Sequence, residues 1–388
     1  MRRLAASIVV LVLGATLQTP AEAHSCKPVR VPGAEYSETT CGRDLTTLGG
    51  RTNPADYAGL THAALPQPTP VLGTQVDGYF PDSSRTNANN GWNHDAQFVL
   101  RLPDRWNGGL VVAGSPGVRA QYANDRAISD DVLAKGFAYA ATDKGNTGAE
   151  FYRDGTRPGD AMVEWNERMT ELTRAAGKAV KQYYGQKPRQ VIAAGISNGG
   201  YLVRWQLENH PELYTRGVDL EGTLWTEKGP NLFTFLPSAI RGYEQQNPRL
   251  ITKAGFDGKS DFLWDYHYTV YWKLTQRIYA AELDPTYTGT EGDYNYRTRP
   301  QAHQAVRRIA LTGNLKRPLV TIHGTYDSLL PITQDSDVYA AMVRRAGKAQ
   351  LFRYQRVEAG NHVDGLVDAY PDRLVPLVPL LRKAIPKI

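Results

Sequence analysis

The most constraining feature of this chain is a pentapeptide set between two periodicities. Gly195-Ile196-Ser197-Asn198-Gly199 closes an apolar run over 190–195, of the kind that forms a strand buried on both faces. It opens a segment, 198–209, that reads as a helix ending before Pro211. A glycine on each side of the serine permits a sharp turn from strand to helix. That turn lifts the hydroxyl above a sheet and aims the next N–H at the place where an oxyanion forms. Ser197 is the candidate nucleophile, and the N–H of Asn198 is the first candidate oxyanion donor.

The flanking sequence supplies the sheet. Residues 97–102 alternate apolar and polar, and 109–113 form a continuous apolar run that ends in the loop Gly114-Ser115-Pro116-Gly117. A helical turn over 130–135 precedes a strand at 136–141. Over 160–184, Met162, Trp165, Met169, Leu172, Ala176 and Ala179 recur in steps of three and four and define a helix face, which Gly185 and Pro188 end. Strands follow at 217–222, 318–322 and 350–357, with a helix at 336–346 and a last one within 372–385, delayed or kinked by Pro376 and Pro379. Strands alternating with helices imply a mostly parallel sheet covered on both faces. The alternation stops over 225–300, where Trp225, Phe233, Trp264, Tyr271, Trp272 and Tyr279 belong to an aromatic-rich insertion. Most of these rings should make its own small core, and some should reach the pocket mouth.

Arg2 and Arg3, an apolar run over 4–17 and Ala21-Glu22-Ala23 compose an export signal. The run is shorter than the roughly 20 residues that span a bilayer. The expectation is a secreted protein beginning near His24, without stable membrane insertion. Cys26 and Cys41, the only cysteines, should pair in an oxidising compartment. No His or Cys cluster completes a metal site, and no cofactor is expected. The formal charge of +6 is dispersed, with no Lys/Arg stripe to neutralise a phosphate backbone, which argues against nucleic acid as a partner. The domain reading is a signal peptide at 1–23, an N-terminal arm at 24–96, a core at 97–224 and 301–388, and the insertion at 225–300.

The elbow and its frame resemble the α/β-hydrolase fold, in which an insertion at this point forms a cap over the active site. That resemblance implies an acid and then a histidine downstream of the serine. Within His323-Gly324-Thr325-Tyr326-Asp327, Asp327 matches the acid of the loop after the seventh strand. Glu221, after the sixth, is the alternative position. His362, in Ala359-Gly360-Asn361-His362, matches the base after the last strand. His323 reads as structural, orienting the acid's loop, and Asp364 as a solvated neighbour of the base. The second oxyanion donor should come from the loop after 109–113, where Pro116 has no N–H. Ser115 is the first choice and Gly117 the second.

The run Gly114-Ser115-Pro116-Gly117-Val118-Arg119 and the later Thr142-Asp143-Lys144-Gly145-Asn146-Thr147-Gly148, with Ile196-Ser197-Asn198-Gly199-Gly200, resemble the 3-hydroxybutyrate oligomer hydrolases. The Thr-Asp-x-Gly element is also similar to the tannase and feruloyl esterase group. That group's cysteine pair flanking the nucleophile and the base is absent, since Ile196 and Asn361 occupy those positions. The resemblance implies a monomeric secreted serine esterase. Its substrate would be an ester, such as a hydroxyalkanoate oligomer or a polyester-like compound. The same serine, histidine and acid would serve a secreted peptidase or amidase, and a non-catalytic binding protein on the same fold is the remaining alternative.

Overall fold

The computed structural model describes residues 26–386. The export signal expected at 1–23 lies outside them. Nine strands form one sheet in the order β1-β2-β3-β5-β4-β6-β7-β8-β9. They are β1 (Tyr36–Gly42), β2 (Gly73–Tyr79), β3 (Gln97–Pro103), β4 (Gly109–Gly114), β5 (Ala138–Thr142), β6 (Gln190–Ile196), β7 (Arg216–Leu220), β8 (Leu319–Gly324) and β9 (Phe352–Val357). From β5 to β9 the pairings are parallel, and β1, β2 and β3 add an antiparallel edge.

The sheet is buried on both faces because its strands alternate between two cores. Leu110 and Val112 of β4 join Phe98, Leu100, Trp165, Leu172 and Leu202 on one side. Val111 and Ala113 join Val99, Tyr139, Ile192, Ile196 and Leu381 on the other. The first side is covered by the helices Asp160–Tyr184 and Asn198–Asn209, and the second by Asp130–Ala134 and Val378–Ala384. The last helix is shorter than the stretch 372–385 in which it was expected, and it begins only after Pro376.

Two expected boundaries move. The arm assigned to 24–96 is part of the sheet, since β1 and β2 pair with each other and β2 pairs with β3. Its polar strands, such as Tyr36–Gly42 with exposed alternate residues, lack the apolar run that marks the central ones. The disulfide Cys26–Cys41, with its Cα atoms 5.5 Å apart, ties the start of the described chain to this edge. The insertion extends past 300: the helix Pro300–Arg307 buries Ala302, Ala305 and Val306 before β8 begins at Leu319. Among the described residues no helix is long and apolar enough to cross a membrane.

The chain runs from β4 to β5 on one side and returns through β6 on the other. At such a reversal the loops at the carboxyl ends of adjacent strands part and leave a crevice. Gly114 ends β4, and Ser197 follows β6.

Candidate active site

Ser197 stands between β6 and the helix Asn198–Asn209 with φ 57° and ψ −121°. Such a backbone costs on the order of 1–3 kcal/mol and persists only where its surroundings dictate it. Here the chain packs too closely for a side chain at either flanking glycine. A Cβ on Gly195 would lie 2.2 Å from the carbonyl carbon of Gly199, and one on Gly199 would lie 2.4 Å from the oxygen of Gly114.

Two loops bring the other polar groups to the serine. Asp327 lies beyond the end of β8 and His362 beyond the end of β9. His362 Nε2 is 3.0 Å from Ser197 Oγ, and His362 Nδ1 is 2.8 Å from Asp327 Oδ2. With Nδ1 donating to the carboxylate, Nε2 is left to accept the serine proton.

Asp327 is buried, and burial alone would raise its pKa. The facing His362 and His323 reverse that and hold the carboxyl well below its usual range. Its Oδ1 accepts from the N–H groups of Leu329 at 2.8 Å and Leu330 at 2.7 Å, and its Oδ2 also lies 3.0 Å from His323 Nε2. His323 has both nitrogens engaged, Nε2 with Leu330 O at 2.9 Å and Nδ1 with Ser336 Oγ at 2.7 Å.

Glu221 differs from Asp327 in both distance and charge. Its Oε2 is 3.7 Å from His362 Nδ1 and has no hydrogen-bond partner among the described residues. Burial, reinforced by the charge of Asp327, pushes its pKa well above the ordinary value. Glu221, His323 and Asp327 also form the one group among the described residues with ligand atoms spaced for a metal ion. The hydrogen bonds above already occupy the atoms of His323 and Asp327.

Two expectations are corrected. Ser115 does not face the cavity: it is fully buried, its N–H donates to Thr142 O at 3.3 Å, and its Oγ donates to Arg119 O at 2.6 Å. Gly117, with φ 52°, lines the cavity opposite Ser197 instead. Pro116, Gly117, Val118 and Arg119 all line the cavity that includes Ser197, so the loop reaches it immediately after Ser115. Asp364 is not solvated either. It is 1% exposed and accepts from Leu377 N–H at 2.6 Å and Val378 N–H at 2.9 Å, fastening the start of the last helix. Burial raises its pKa to about 6.

Residues 84–215 match the family model described as Tannase and feruloyl esterase, and residues 286–388 match the one described as 3HB-oligomer hydrolase. The motifs at 114–119, 142–148 and 196–200 thus fall within the tannase match, and the oligomer hydrolase match covers Asp327 and His362. D-(-)-3-hydroxybutyrate oligomer hydrolases of Cupriavidus necator and Cupriavidus pinatubonensis are 37% and 36% identical over 91 and 104 residues. These stretches are 22% and 25% of this chain but only 13% and 14% of the relatives' own lengths. Feruloyl esterase B of Aspergillus oryzae superposes with a TM-score of 0.58 at 12% identity, over 86% of this chain and 81% of that one. A second esterase of Aspergillus oryzae gives 0.52 at 12% identity, with the same coverage. The chain has the α/β-hydrolase fold.

Within this fold the serine opens into a cavity of about 200 Å³ lined by Gly117, Val118, Leu232, Tyr271, Leu274, Ile278, Tyr279, Leu329 and Val363. Leu232, Tyr271, Leu274, Ile278 and Tyr279 all belong to the insertion. Larger hollows elsewhere on the insertion, such as one of about 820 Å³ beside Arg241 and Tyr296, do not include Ser197. Size is therefore a poor guide here, and the smaller, more apolar cavity is the one that adjoins the serine.

Among the polar contacts that join the insertion to the core, two use the residues next in sequence to Ser197 and His362, whose side chains carried no signal in the sequence. Asn198 Nδ2 donates to Gly117 O at 3.0 Å and to Tyr279 Oη at 2.5 Å, while its Oδ1 accepts from Thr223 at 3.0 Å. Asn361 Oδ1 accepts from Ser328 N–H at 3.2 Å, which turns its Nδ2 towards His267 Nε2 at 3.4 Å. His267 is fully enclosed, and burial lowers its pKa to about 3.

Proposed function

We propose that this protein is a secreted serine hydrolase of carboxylic esters. Ser197 Oγ attacks the ester carbonyl as His362 Nε2 takes its proton, and Asp327 orients and stabilises the imidazolium. The tetrahedral oxyanion is met by the N–H of Asn198 and by that of Gly117. The proton passes from His362 to the departing alkoxide, leaving an acyl group on Ser197. Water then attacks the acyl-enzyme with His362 again as base, and the acid leaves.

The observation that carries this reading is the unbroken Ser197–His362–Asp327 hydrogen-bond chain at an apolar cavity. The 2.8 Å contact favours Asp327 over Glu221 as the acid. Val118, Leu232, Leu274 and Ile278 suit a short alkyl acyl group. The oligomer hydrolases that resemble this chain suggest hydroxyalkanoate oligomers as the class to try first, and the disulfide Cys26–Cys41 supports export.

The test is a panel of p-nitrophenyl esters of increasing acyl length, 3-hydroxybutyrate dimers and trimers, feruloyl and galloyl esters, and peptide amides. Short esters and the oligomers should turn over, and Ser197→Ala should lower turnover by about 10⁴-fold or more. Full activity in Ser197→Ala, or turnover confined to the amides, would overturn the reading.

A further inference from the structure

Behind the loop that carries Gly117 lies a buried ammonium that the mechanism above does not use. Lys144 follows β5 in the left-handed backbone region, with φ 77°, and its side chain is fully enclosed. Its Nζ donates to Ser115 Oγ, lies 3.4 Å from Arg119 O, and sits 5.2 Å from the centre of the Trp165 ring. Among the described residues it forms no ion pair with a carboxylate. Taking an ammonium out of water is costly, and burial pulls the pKa of Lys144 down to about 7 even with the charge of the neighbouring Asp143 acting the other way. A methionine would fill similar space without that cost, so packing does not account for a lysine here.

What the ammonium touches does account for it. Ser115 and Arg119 are the two ends of the turn that brings Gly117 to the cavity. The turn is closed by Ser115 Oγ donating to Arg119 O at 2.6 Å and by Arg119 N–H donating to Pro116 O at 3.1 Å, and Lys144 reaches both ends at once. The rest of its segment holds the same loop. Thr142 O accepts from Ser115 N–H at 3.3 Å, and Gly148 N–H donates to Val118 O at 2.7 Å. The far side of the turn is fixed by Asn198, whose Nδ2 donates to Gly117 O at 3.0 Å. The turn is thus held from behind by residues 142–148 and from the front by the residue next to the nucleophile.

We propose that Lys144 is a positioning residue for the oxyanion loop, its ammonium holding the turn 115–119 at the separation from Ser197 that the tetrahedral intermediate requires. The inference rests on the ester-hydrolase reading and adds to it the reason for an enclosed lysine within the Thr-Asp-x-Gly element. Displacing an oxyanion donor by a fraction of an ångström weakens the transition state more than the bound ester, because the charge it meets exists only in the former.

The test compares wild type, Lys144→Met and Ser115→Ala on a short p-nitrophenyl ester and on a trifluoromethyl ketone, which adds to an active serine as a tetrahedral adduct. For Lys144→Met, kcat should fall about 10- to 100-fold with KM within about threefold. Affinity for the ketone should fall in parallel with kcat. The thermal midpoint should match or exceed that of wild type, because a buried charge has been removed. Ser115→Ala should show a smaller loss of the same kind. A folded Lys144→Met with wild-type kcat would overturn the proposal, as would a fall in kcat with ketone affinity unchanged. Should Lys144→Met fail to fold, Ser115→Ala decides: unchanged kcat and ketone affinity overturn it. Wild-type protein that neither hydrolyses the esters nor binds the ketone fails the ester-hydrolase reading instead, before any variant is compared.

Discussion

The core side of the cavity carries Ser197, Asp327 and His362 on the ends of strands and locks them with buried hydrogen bonds and a strained turn. The insertion side offers Leu232, Tyr271, Leu274 and Ile278, and it touches the core's polar residues through Tyr279 and His267. The core wall carries the polar, pre-organised groups, while the insertion wall is mainly apolar and is joined to the core by several hydrogen bonds, among them Trp272 Nε1 donating to Ser328 O at 2.7 Å. Proton transfer demands fixed distances and charges, whereas an alkyl group needs only volume and shape. On the proposed ester-hydrolase reading, the division gives the chemistry to the sheet and the choice of acyl group to the insertion.

The largest expected effect is on the core wall. Asp327→Asn should lower kcat by about 10⁴-fold, because an amide holds the imidazole in the wrong tautomer and leaves its cation unsupported. A loss below tenfold, read from initial rates on a short ester, would move the acid's role to Glu221 and break the account of that wall. On the insertion wall, Leu274→Ala combined with Ile278→Ala should shift preference towards longer acyl chains. The ratio of kcat/KM for octanoyl over acetyl ester should rise about 10- to 100-fold. An unchanged ratio would mean that acyl selection lies on the core side.

The smallest effect concerns the seam between the walls and is read in stability. His267 has a folded-state pKa of about 3 against an ordinary value of 6.5. Between those values the unfolded chain binds the proton and the folded chain does not. Stability should therefore fall as pH drops through that window, with this residue contributing at most about 1.4 kcal/mol per pH unit. Urea midpoints measured from pH 7 to pH 4 should show a shallower acid-side decline in His267→Gln than in wild type. Parallel curves would show that this imidazole is not held neutral.

Legibility in the sequence followed the same division. The strand, elbow and helix around Ser197 could be read because burial on both faces and a helical period leave local patterns. Asp327 and His362 could be read because they occupy loops in a fixed order after particular strands. The failures were contacts across the chain. Ser115 reads as an oxyanion donor because the proline beside it lacks an N–H, but its own N–H is taken by Thr142 O, and the loop is further bonded by Lys144 and Gly148, about thirty residues away. Asp364 looked solvated because its partners, the N–H groups of Leu377 and Val378, cap a helix that two prolines obscured. The strands β1 and β2 leave little pattern in the sequence, because β1 is a half-exposed edge strand and both are rich in polar residues and glycine. The contacts of Asn198 and Asn361 with the insertion depend on how two distant segments meet, which no local pattern encodes.

On the proposed reading Ser197 is the nucleophile, activated by His362. That role is tested most directly by treating the protein with a fluorophosphonate and locating the adduct by mass spectrometry. The account predicts one adduct per chain, on Ser197, forming in step with the loss of ester hydrolysis and much more slowly in His362→Ala. An adduct on another residue, or complete inactivation with Ser197 unmodified, would contradict it.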